Sequence, residues 1–129
     1  MREKSKKTLT ELNLRFNDIG DDGVKCLADA LKSNKTLTEL NLRFNLFIGD
    51  DGVKCLADAL KSNKTLSELN LRNNGTGHDG AKSLADALKS NTALSRLYLS
   101  ENSTSKYGLA GLKRTFESNK NLTVDLFSL

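Results

Sequence analysis

Few side chains in this chain could support acid–base, metal or nucleophilic chemistry. His78 is its single histidine, and Cys26 and Cys55 are its two cysteines. A metal centre needs several His, Cys or carboxylate ligands that converge on one point, and a nucleophilic triad needs a histidine beside its nucleophile. We therefore predict no catalytic residue, no metal site and no cofactor, and we interpret His78 as a loop residue.

The two cysteines occupy equivalent positions in similar segments. Each lies in the sequence V-K-C-L-A-D-A-L, and Ser83 takes the same place in a third segment. If these segments are neighbouring helices, their axes lie about 8–10 Å apart, which is too far for a disulfide between equivalent positions. Cys26 and Cys55 are therefore predicted to be reduced thiols that act as small packing residues.

Two acidic pairs, Asp21-Asp22 and Asp50-Asp51, are each flanked by glycines. A phosphate-binding loop is also rich in glycine, but carboxylates have the wrong charge for a phosphate. A calcium loop needs further oxygen ligands at a defined spacing, and these are missing here. Because both pairs precede a helical pattern, we interpret Asp21 as the cap of its own helix, beside the positive end of the dipole.

These residues belong to a segment that recurs along the chain. Residues 8–35 return as 36–64 with one difference, Leu46-Phe47 in place of Asp18. Self-similarity at a period of roughly 28 residues is typical of a repeat array, in which stacked units share one core. The remaining parts are two diverged copies at 65–91 and 92–119, residues 1–7 as the tail of a preceding copy, and 120–129 as a terminal strand stump.

Each copy contains two hydrophobic periods. In the first copy, Leu12 and Leu14 alternate with polar residues, which predicts a strand with one buried face. Four apolar residues then follow at i, i+3, i+4 and i+7, which predicts a single buried stripe on a helix. They are Val24, Leu27, Ala28 and Leu31. The predicted fold class is therefore α/β, with a strand and a helix in every copy.

The full pattern of one copy is L-x-x-L-x-L-x-x-N-x-I-G-x-x-G-x-x-x-L-x-x-x-L, and it extends from Leu9 to about Leu122. It resembles the leucine-rich repeat of the ribonuclease-inhibitor type, as in the repeat regions of NOD-like receptors; RanGAP shares this class. The resemblance implies a solenoid that forms a short horseshoe arc, with parallel strands on the concave face and helices on the convex face. It also implies an asparagine ladder of Asn17, Asn45, Asn74 and Asn102.

Equivalent residues of neighbouring copies should stack across parallel strands about 4.8 Å apart. The exposed side of the sheet then carries an acidic, an amide and a basic row, which are Glu11, Glu39, Glu68 and Arg96; Asn13, Asn41, Asn70 and Tyr98; and Arg15, Arg43, Arg72 and Ser100. Copying one repeat would also copy its solvated residues, so the identical positions have a structural explanation as well. Arg96 and Tyr98 break the rows and are the better candidates for partner contact, because Arg and Tyr are enriched at hot spots. From the rows we also select Glu39, Arg43 and Arg72.

A second candidate surface lies where the first two strands end. Phe16 and Phe44 precede the ladder asparagines, and the inserted Leu46-Phe47 adds apolar side chains beside them. An exposed apolar cluster usually marks an interaction site, so Phe16, Phe44 and Phe47 are candidate partner-binding residues. The alternative is that these side chains pack over the loops and close the core.

The two ends of the array differ from its middle. The first strand is predicted to be an open sheet edge, which natural arrays normally cover. The chain is therefore expected to be a piece of a longer protein, which we favour, or to self-associate through this strand. In the last copy Lys113 takes an inward alanine position, which predicts partial exposure, and Asp125 stands where a leucine belongs, which predicts a broken register. A basic cluster opens the chain, but no aromatic or basic face continues it and the net charge is only +4. We therefore predict neither nucleic-acid binding nor, without a long apolar segment, a membrane span.

These features predict a non-catalytic protein–protein interaction module similar to the repeat region of a NOD-like receptor. Two alternatives remain open: a RanGAP-like regulator of a GTPase, and an engineered repeat scaffold without a selected ligand. Asn74 and Asn102 also begin N-x-S/T sequences. Because a glycan there would disrupt the ladder, we expect a cytoplasmic location, and a bacterial origin would explain these sequences equally well.

Overall fold

The computed structural model of the chain describes residues 8–104 and 106–125. In this part, five short strands alternate with four helices. The strands are β1 (Glu11–Asn13), β2 (Glu39–Asn41), β3 (Glu68–Asn70), β4 (Arg96–Tyr98) and β5 (Thr123–Asp125), and the helices are α1 (Asp21–Ser33), α2 (Asp50–Ser62), α3 (His78–Leu88) and α4 (Lys106–Ser118). The predicted tail at 1–7, with its basic cluster, and the end of the predicted stump at 126–129 lie outside the described residues.

All five strands form one parallel sheet in chain order. Their register follows the repeat, so that Glu11 aligns with Glu39 and Glu39 with Glu68. Each crossover contains one helix, and successive helices pack against one another on one side of the sheet. The α/β solenoid of parallel strands and stacked helices predicted from the repeats is therefore confirmed.

One hydrophobic core fills the space between the sheet and the helices. The central leucines of β2, β3 and β4, which are Leu40, Leu69 and Leu97, are at most 2% exposed. In the first copy Leu12 and Leu14 are only partly buried, because β1 has a strand neighbour on one side only among the described residues. β1 is thus a sheet edge, as predicted.

The predicted asparagine ladder is complete at Asn45 and Asn102. At Asn74 the side-chain oxygen accepts from the backbone N–H of Asn45 at 2.9 Å, but the buried Nδ2 has no partner among the described residues. Asn45 is fully buried, and its side-chain Nδ2 donates to the carbonyl oxygens of Leu14 and Leu42 at 3.1 and 2.9 Å. Its Oδ1 accepts hydrogen bonds from the backbone N–H groups of Asn17 and Ile19 at 3.1 and 2.9 Å. The ladder asparagine of the fourth copy makes the equivalent contacts. One amide therefore satisfies the turn of its own repeat and that of the repeat before it.

A second asparagine ladder, which was not predicted, joins the helix ends to the strands that follow. The Nδ2 of Asn63 donates to the Leu31 carbonyl of the preceding helix at 2.8 Å. Its Oδ1 accepts from the backbone N–H of Leu66 at 2.8 Å. Asn91 makes the same two kinds of contact one copy further along. Helices α2 and α3 are therefore each followed by an asparagine side chain that is bonded to the preceding copy.

Asp21 does not cap its own helix, so that prediction was wrong. Gly20 is the N-cap of α1, and no side chain caps it. The Oδ1 of Asp21 instead accepts from the backbone N–H groups of Gly49 and Gly52, at the start of α2, at 2.8 and 3.0 Å. A Cβ atom on Gly52 would lie 2.6 Å from this carboxylate, which explains why glycine stands there.

The same contact joins the second and third copies. The Oδ1 of Asp50 accepts from the N–H groups of Gly77 and Gly80 at 2.7 and 3.0 Å. These N–H groups lie at the start of α3, where the helix dipole favours a negative charge. Each acidic side chain therefore stabilises the next helix in the array.

The terminal segment, which begins at residue 120, corrects one further prediction. Asp125 does not occupy a leucine position, and the register is not broken at β5: Val124 aligns with Leu97, and Asp125 aligns with Tyr98. Val124 follows Leu122 by two residues rather than three, and this shorter spacing turns Asp125 to the exposed side of the sheet.

Predictions for individual helix residues had mixed outcomes. His78 is the first residue of α3 and not a loop residue, so that prediction was wrong. Lys113 is exposed, as its charge indicated. Both cysteines are free, but Cys26 is exposed and only the half-buried Cys55 packs against the core. The packing role predicted for Cys26 was therefore wrong.

We expect Asn45→Ala to lower the free energy of unfolding by about 3 kcal/mol, because it leaves several buried backbone groups without a partner. Urea unfolding followed by circular dichroism measures the change. The control is Asn17→Ala, at the exposed end of the same ladder, which should cost less than about 1 kcal/mol. Equal costs at the two positions would contradict the ladder's role.

We expect Asp50→Ala to cost about 2 kcal/mol in the same assay, because the start of α3 loses two charge-assisted hydrogen bonds. Asp51, the exposed next residue on α2, is the matched control. Its replacement by alanine removes only a dipole interaction and should cost about 0.5 kcal/mol. A larger loss of unfolding free energy for Asp51→Ala than for Asp50→Ala would contradict this assignment, because it would mean that residues of the helix itself stabilise its start.

Candidate protein-binding surfaces

The exposed side of the sheet, here called the sheet face, carries the predicted rows. The pleat turns the leucines inward and the residues between them outward. Glu11, Glu39 and Glu68 stand in register on β1, β2 and β3. They line a shallow groove of about 260 Å³ together with the asparagine row and Tyr98. The structure thus brings the candidates Glu39 and Tyr98 into one groove.

Glu39 lies at the middle of the acidic row and is half-buried. Partial desolvation, followed by the negative charges of Glu11 and Glu68, raises the pKa of its carboxyl above the usual 4.5. Arg96 acts in the opposite direction. The charged form of Glu39 is therefore disfavoured in the folded chain, and a cation placed over the row by a partner would relieve this.

A polar cluster forms at the β5 end of the sheet face. The Nε of Arg72 donates to Oδ2 of Asp125 at 2.8 Å, and Nη2 of Arg72 contacts the same oxygen. The Arg72 guanidinium carbon also lies 4.9 Å from the centroid of the Tyr98 ring, which is a cation–π contact. Ser100 Oγ donates to the same carboxylate oxygen at 3.3 Å. Arg72 and Tyr98 are thus held in a fixed arrangement on the surface.

Arg96 extends from this cluster toward the acidic row. Its Nη1 lies 3.4 Å from Oε1 of Glu68, and its side chain is exposed. Interaction with the Tyr98 hydroxyl, followed by the Glu68 carboxylate, raises the pKa of Arg96 above its usual value. Arg96 therefore stays cationic, and because its ion pair is open to solvent it is free to contact an acidic group of a partner.

Arg43 differs from the other members of the basic row. Its Nε is buried and has no hydrogen-bond partner among the described residues. Buried donors are nearly always paired in folded proteins. Thr65 Oγ1, Asn74 Nδ2 and Thr76 Oγ1 share this property. Because a buried atom is out of a partner's reach, it does not mark Arg43 as a contact residue.

Four apolar side chains form an exposed aromatic patch at the end of the first two strands: Phe16, Phe44, Leu46 and Phe47. Their exposed fractions are 60%, 37%, 60% and 70%. The rings of Phe16 and Phe44 stack with their centroids 4.7 Å apart and their planes at 18°. These side chains do not close the core, in contrast to the packing alternative.

The backbone of the patch is strained as well as exposed. Phe16 and Phe44 have φ angles of 57° and 62°, in the left-handed region. Asn73 occupies the same position in the third copy, with φ 54°. Asparagine tolerates this region, but for a bulky residue it costs about 1–2 kcal/mol. The two phenylalanines thus destabilise the fold at a position where asparagine is tolerated.

The sequence did not point to the acidic partner of Arg72. Asp125 was placed in an inward position, so neither its ion pair nor its contact with Ser100 was predicted. The signal that could have found it is the shorter spacing between Leu122 and Val124. Once Val124 is taken as the inward residue, strand alternation turns the next residue outward.

The part of the chain that the structure describes contains neither a candidate metal site nor a candidate membrane span. In residues 8–104 and 106–125, no group of three or more His, Cys, Asp or Glu side chains is placed to hold a metal ion. None of the helices described there is long and apolar enough to span a bilayer.

Comparison with known proteins agrees with this architecture. A family profile described as "Leucine Rich repeat" matches residues 5–28, 33–57 and 62–85, which is more than half of the chain. A structure described as leiomodin-1 actin-binding site 2 has a TM-score of 0.81 at 23% identity, over 93% of this chain and 70% of that one.

The C-terminal domain of a tropomodulin from Caenorhabditis elegans has the same TM-score of 0.81, at 15% identity, over 94% of this chain and 74% of that one. Identities this low show a common fold and nothing more about the ligand. No curated protein matches the sequence significantly.

The raised pKa of Glu39 predicts how Glu39→Gln changes stability with pH. A carboxyl whose folded pKa is raised binds its proton more tightly in the folded chain, so its contribution falls as the pH rises from about 4.5 through the folded value. We expect Glu39→Gln to be more stable than the original chain at pH 7, with the difference shrinking toward pH 4 and below. Urea midpoints measured across this range, with Glu117→Gln on the helix side as control, test this. A stability loss at pH 7 would contradict the repulsion described for the row.

Proposed function

Because the chain belongs to the leucine-rich repeat family, we propose that it is a non-catalytic protein-binding module. Its contact surface is the sheet face together with the aromatic patch. The partner presents an apolar side chain to the stacked Phe16 and Phe44 and cationic groups to the acidic row. The cationic groups are favoured because the row holds Glu39 at a raised pKa.

The observation that carries this proposal is the aromatic patch. An exposed phenylalanine in a left-handed backbone conformation is unfavourable in two ways, through its apolar surface and through its backbone. Asn73 shows that the same turn forms without an aromatic residue. Binding would offset the first cost, because a partner covers the rings. The left-handed backbone is common to this turn, since Glu101 at the equivalent position of the fourth copy has φ 63°. Stacked aromatic rings are rigid and lose little conformational freedom on binding.

The Arg72–Tyr98 cluster supports the same surface. Asp125 fixes the Arg72 side chain, and Arg72 in turn lies over the Tyr98 ring, so both are in place before any partner binds. Arg and Tyr residues held in place are effective contact residues, because little side-chain entropy remains to be lost. The surface therefore combines an apolar anchor with oriented polar groups.

We extend the proposal to the setting of the module. The repeat pattern supports a role as the recognition segment of a larger receptor-like protein, similar to the repeat region of a NOD-like receptor. A cytoplasmic location is supported by the buried Asn74, which begins an N-x-T sequence and bonds to the backbone of Asn45 at 2.9 Å. Actin belongs among the partners to be assayed, because the leiomodin-1 structure is described as an actin-binding site.

The test replaces Phe16 and Phe44 with asparagine, the residue that the third copy has at this position. Peptides selected by display against the original chain provide the ligands, and their affinities are measured by fluorescence anisotropy. We expect the double variant to bind at least about 30-fold more weakly, as for loss of a hot spot. We also expect it to be as stable as the original chain or more so, because asparagine tolerates the left-handed region.

Lys61→Asn, an exposed replacement on the helix side, is the matched control and should leave the affinity within about twofold. Selected peptides should pair an apolar residue with Lys or Arg. Peptides that bind the double variant as tightly as the original chain would refute the patch as the anchor. A selection that yields no peptide and no binding to actin would count against the protein-binding proposal.

A further inference from the structure

A groove of about 600 Å³ runs between α3 and α4, on the helix side and away from the sheet face. Its lining extends from His78 in the first turn of α3 to Lys89 just beyond the last turn. α3 has 11 residues, which corresponds to a length of roughly 16 Å at 1.5 Å per residue. An extended peptide of about five residues has this length.

The groove is cationic because the fourth copy reverses a charge. Asp29, Asp58 and Asp86 occupy equivalent positions in the first three copies, and Arg114 takes that position in the fourth. Between α1 and α2, the Lys32 ammonium lies 4.0 Å from Asp29 and 3.3 Å from Asp58. Positive and negative side chains therefore meet there. Between α3 and α4 the second carboxylate is replaced by a guanidinium.

Three cations line the groove against a single carboxylate. Lys89 lies 3.2 Å from Asp86, while neither Lys82 nor Arg114 has a salt bridge in the described part of the chain. Glu117 is exposed on α4 but does not line the groove. An excess of positive charge therefore faces the space between the two helices. An anionic occupant would neutralise it.

A glycine keeps the groove open. Gly111 stands where the earlier copies have Cys26, Cys55 and Ser83. A Cβ atom at Gly111 would meet only Ala85, at the ordinary contact distance of 3.8 Å. Packing therefore does not require glycine here, and glycine in a helix interior is less stable than alanine. The missing side chain widens the groove at its floor.

From the charge reversal and the glycine together, we propose that this groove binds an acidic peptide segment of a protein partner, about five residues long. Carboxylates of the segment contact Lys82, Lys89 and Arg114. The peptide lies along the groove and over Gly111. The site is separate from the sheet face and the aromatic patch, so it does not depend on the function proposed for them.

The experiment measures fluorescence anisotropy of a rhodamine-labelled hexaglutamate peptide with the full chain, at low and at physiological salt. We expect saturable binding that weakens as the salt is raised. Arg114→Asp, which restores the acidic residue of the other copies, should weaken binding at least about tenfold. Lys25→Asp on α1 makes the same change in net charge outside the groove and should alter the affinity by less than about twofold.

A second pair of variants tests the shape of the groove. Gly111→Leu should fill it and weaken peptide binding at least about fivefold, while Gly111→Ala should raise the melting temperature and keep binding within about twofold. If Gly111→Leu does not fold, the comparison of Arg114→Asp with Lys25→Asp decides the question. The Phe16 and Phe44 asparagine variant should bind hexaglutamate normally, which separates a failure here from a failure of the proposed function.

Four results would overturn the proposal. The first is that hexaglutamate does not bind at low salt. The second is that hexalysine binds as tightly as hexaglutamate. Arg114→Asp and Lys25→Asp weaken binding equally, which would mean that net charge alone attracts the peptide. Inorganic phosphate binds in the groove while the peptide does not, which would assign it to a small anion.

Discussion

The carboxylate of Asp21 and the amide of Asn45 both bond to backbone groups of a neighbouring repeat. Asp21 reaches forward to the first N–H groups of α2, and Asn45 reaches back to the turn that follows β1. These backbone groups have no partner within their own repeat, and leaving them buried and unpaired would be costly. A single copy therefore cannot be stable alone. Stacking satisfies its polar groups at the same time as it buries its leucines.

This constraint fixes the surface as well as the core. Because the ladders set the spacing and register of the strands, residues at equivalent positions must stand side by side on the sheet face. Identical copies then produce rows of like charge, as at Glu39, where partial desolvation and then the neighbouring Glu11 and Glu68 raise the pKa of the carboxyl. The residues that depart from the copied pattern are the inserted Leu46-Phe47 in the aromatic patch, Tyr98 and Arg96 on the sheet face, and Gly111 and Arg114 on the helix side.

The repeat pattern was sufficient to predict the fold and the rows of the sheet face, because both follow from one period that is visible in the sequence. The ladder at Asn45 was implied by the resemblance to the leucine-rich repeat. The contacts between copies were harder to predict, because a polar residue near a helix start is equally compatible with capping its own helix or the next one. Asp21 was assigned to the wrong helix for this reason. The bonds of Asn63 and Asn91 were missed because these residues lie between the strand and helix patterns.

The candidate site was predictable in its residues but not in its geometry. Sequence spacing placed Phe16 and Phe44 together, but their left-handed backbone conformation and the stacking of their rings depend on the turn that the ladder imposes. The ion pair of Arg72 with Asp125 required the correct register of β5, which a difference of one residue decided. The groove between α3 and α4 arises from two helices together, so neither helix pattern indicated it.

Hydrogen exchange at four glycine amides tests most directly whether neighbouring repeats complete one another. Gly20 and Gly23 in the first copy correspond to Gly49 and Gly52 in the second, within nearly identical sequences. Asp21 bonds to the second pair, whereas no carboxylate reaches the first pair in the described part of the chain. We predict that Gly49 and Gly52 exchange at least about 100-fold more slowly than Gly20 and Gly23. Equal rates in the two copies would contradict the account, because the sequence of each copy alone would then determine its stability.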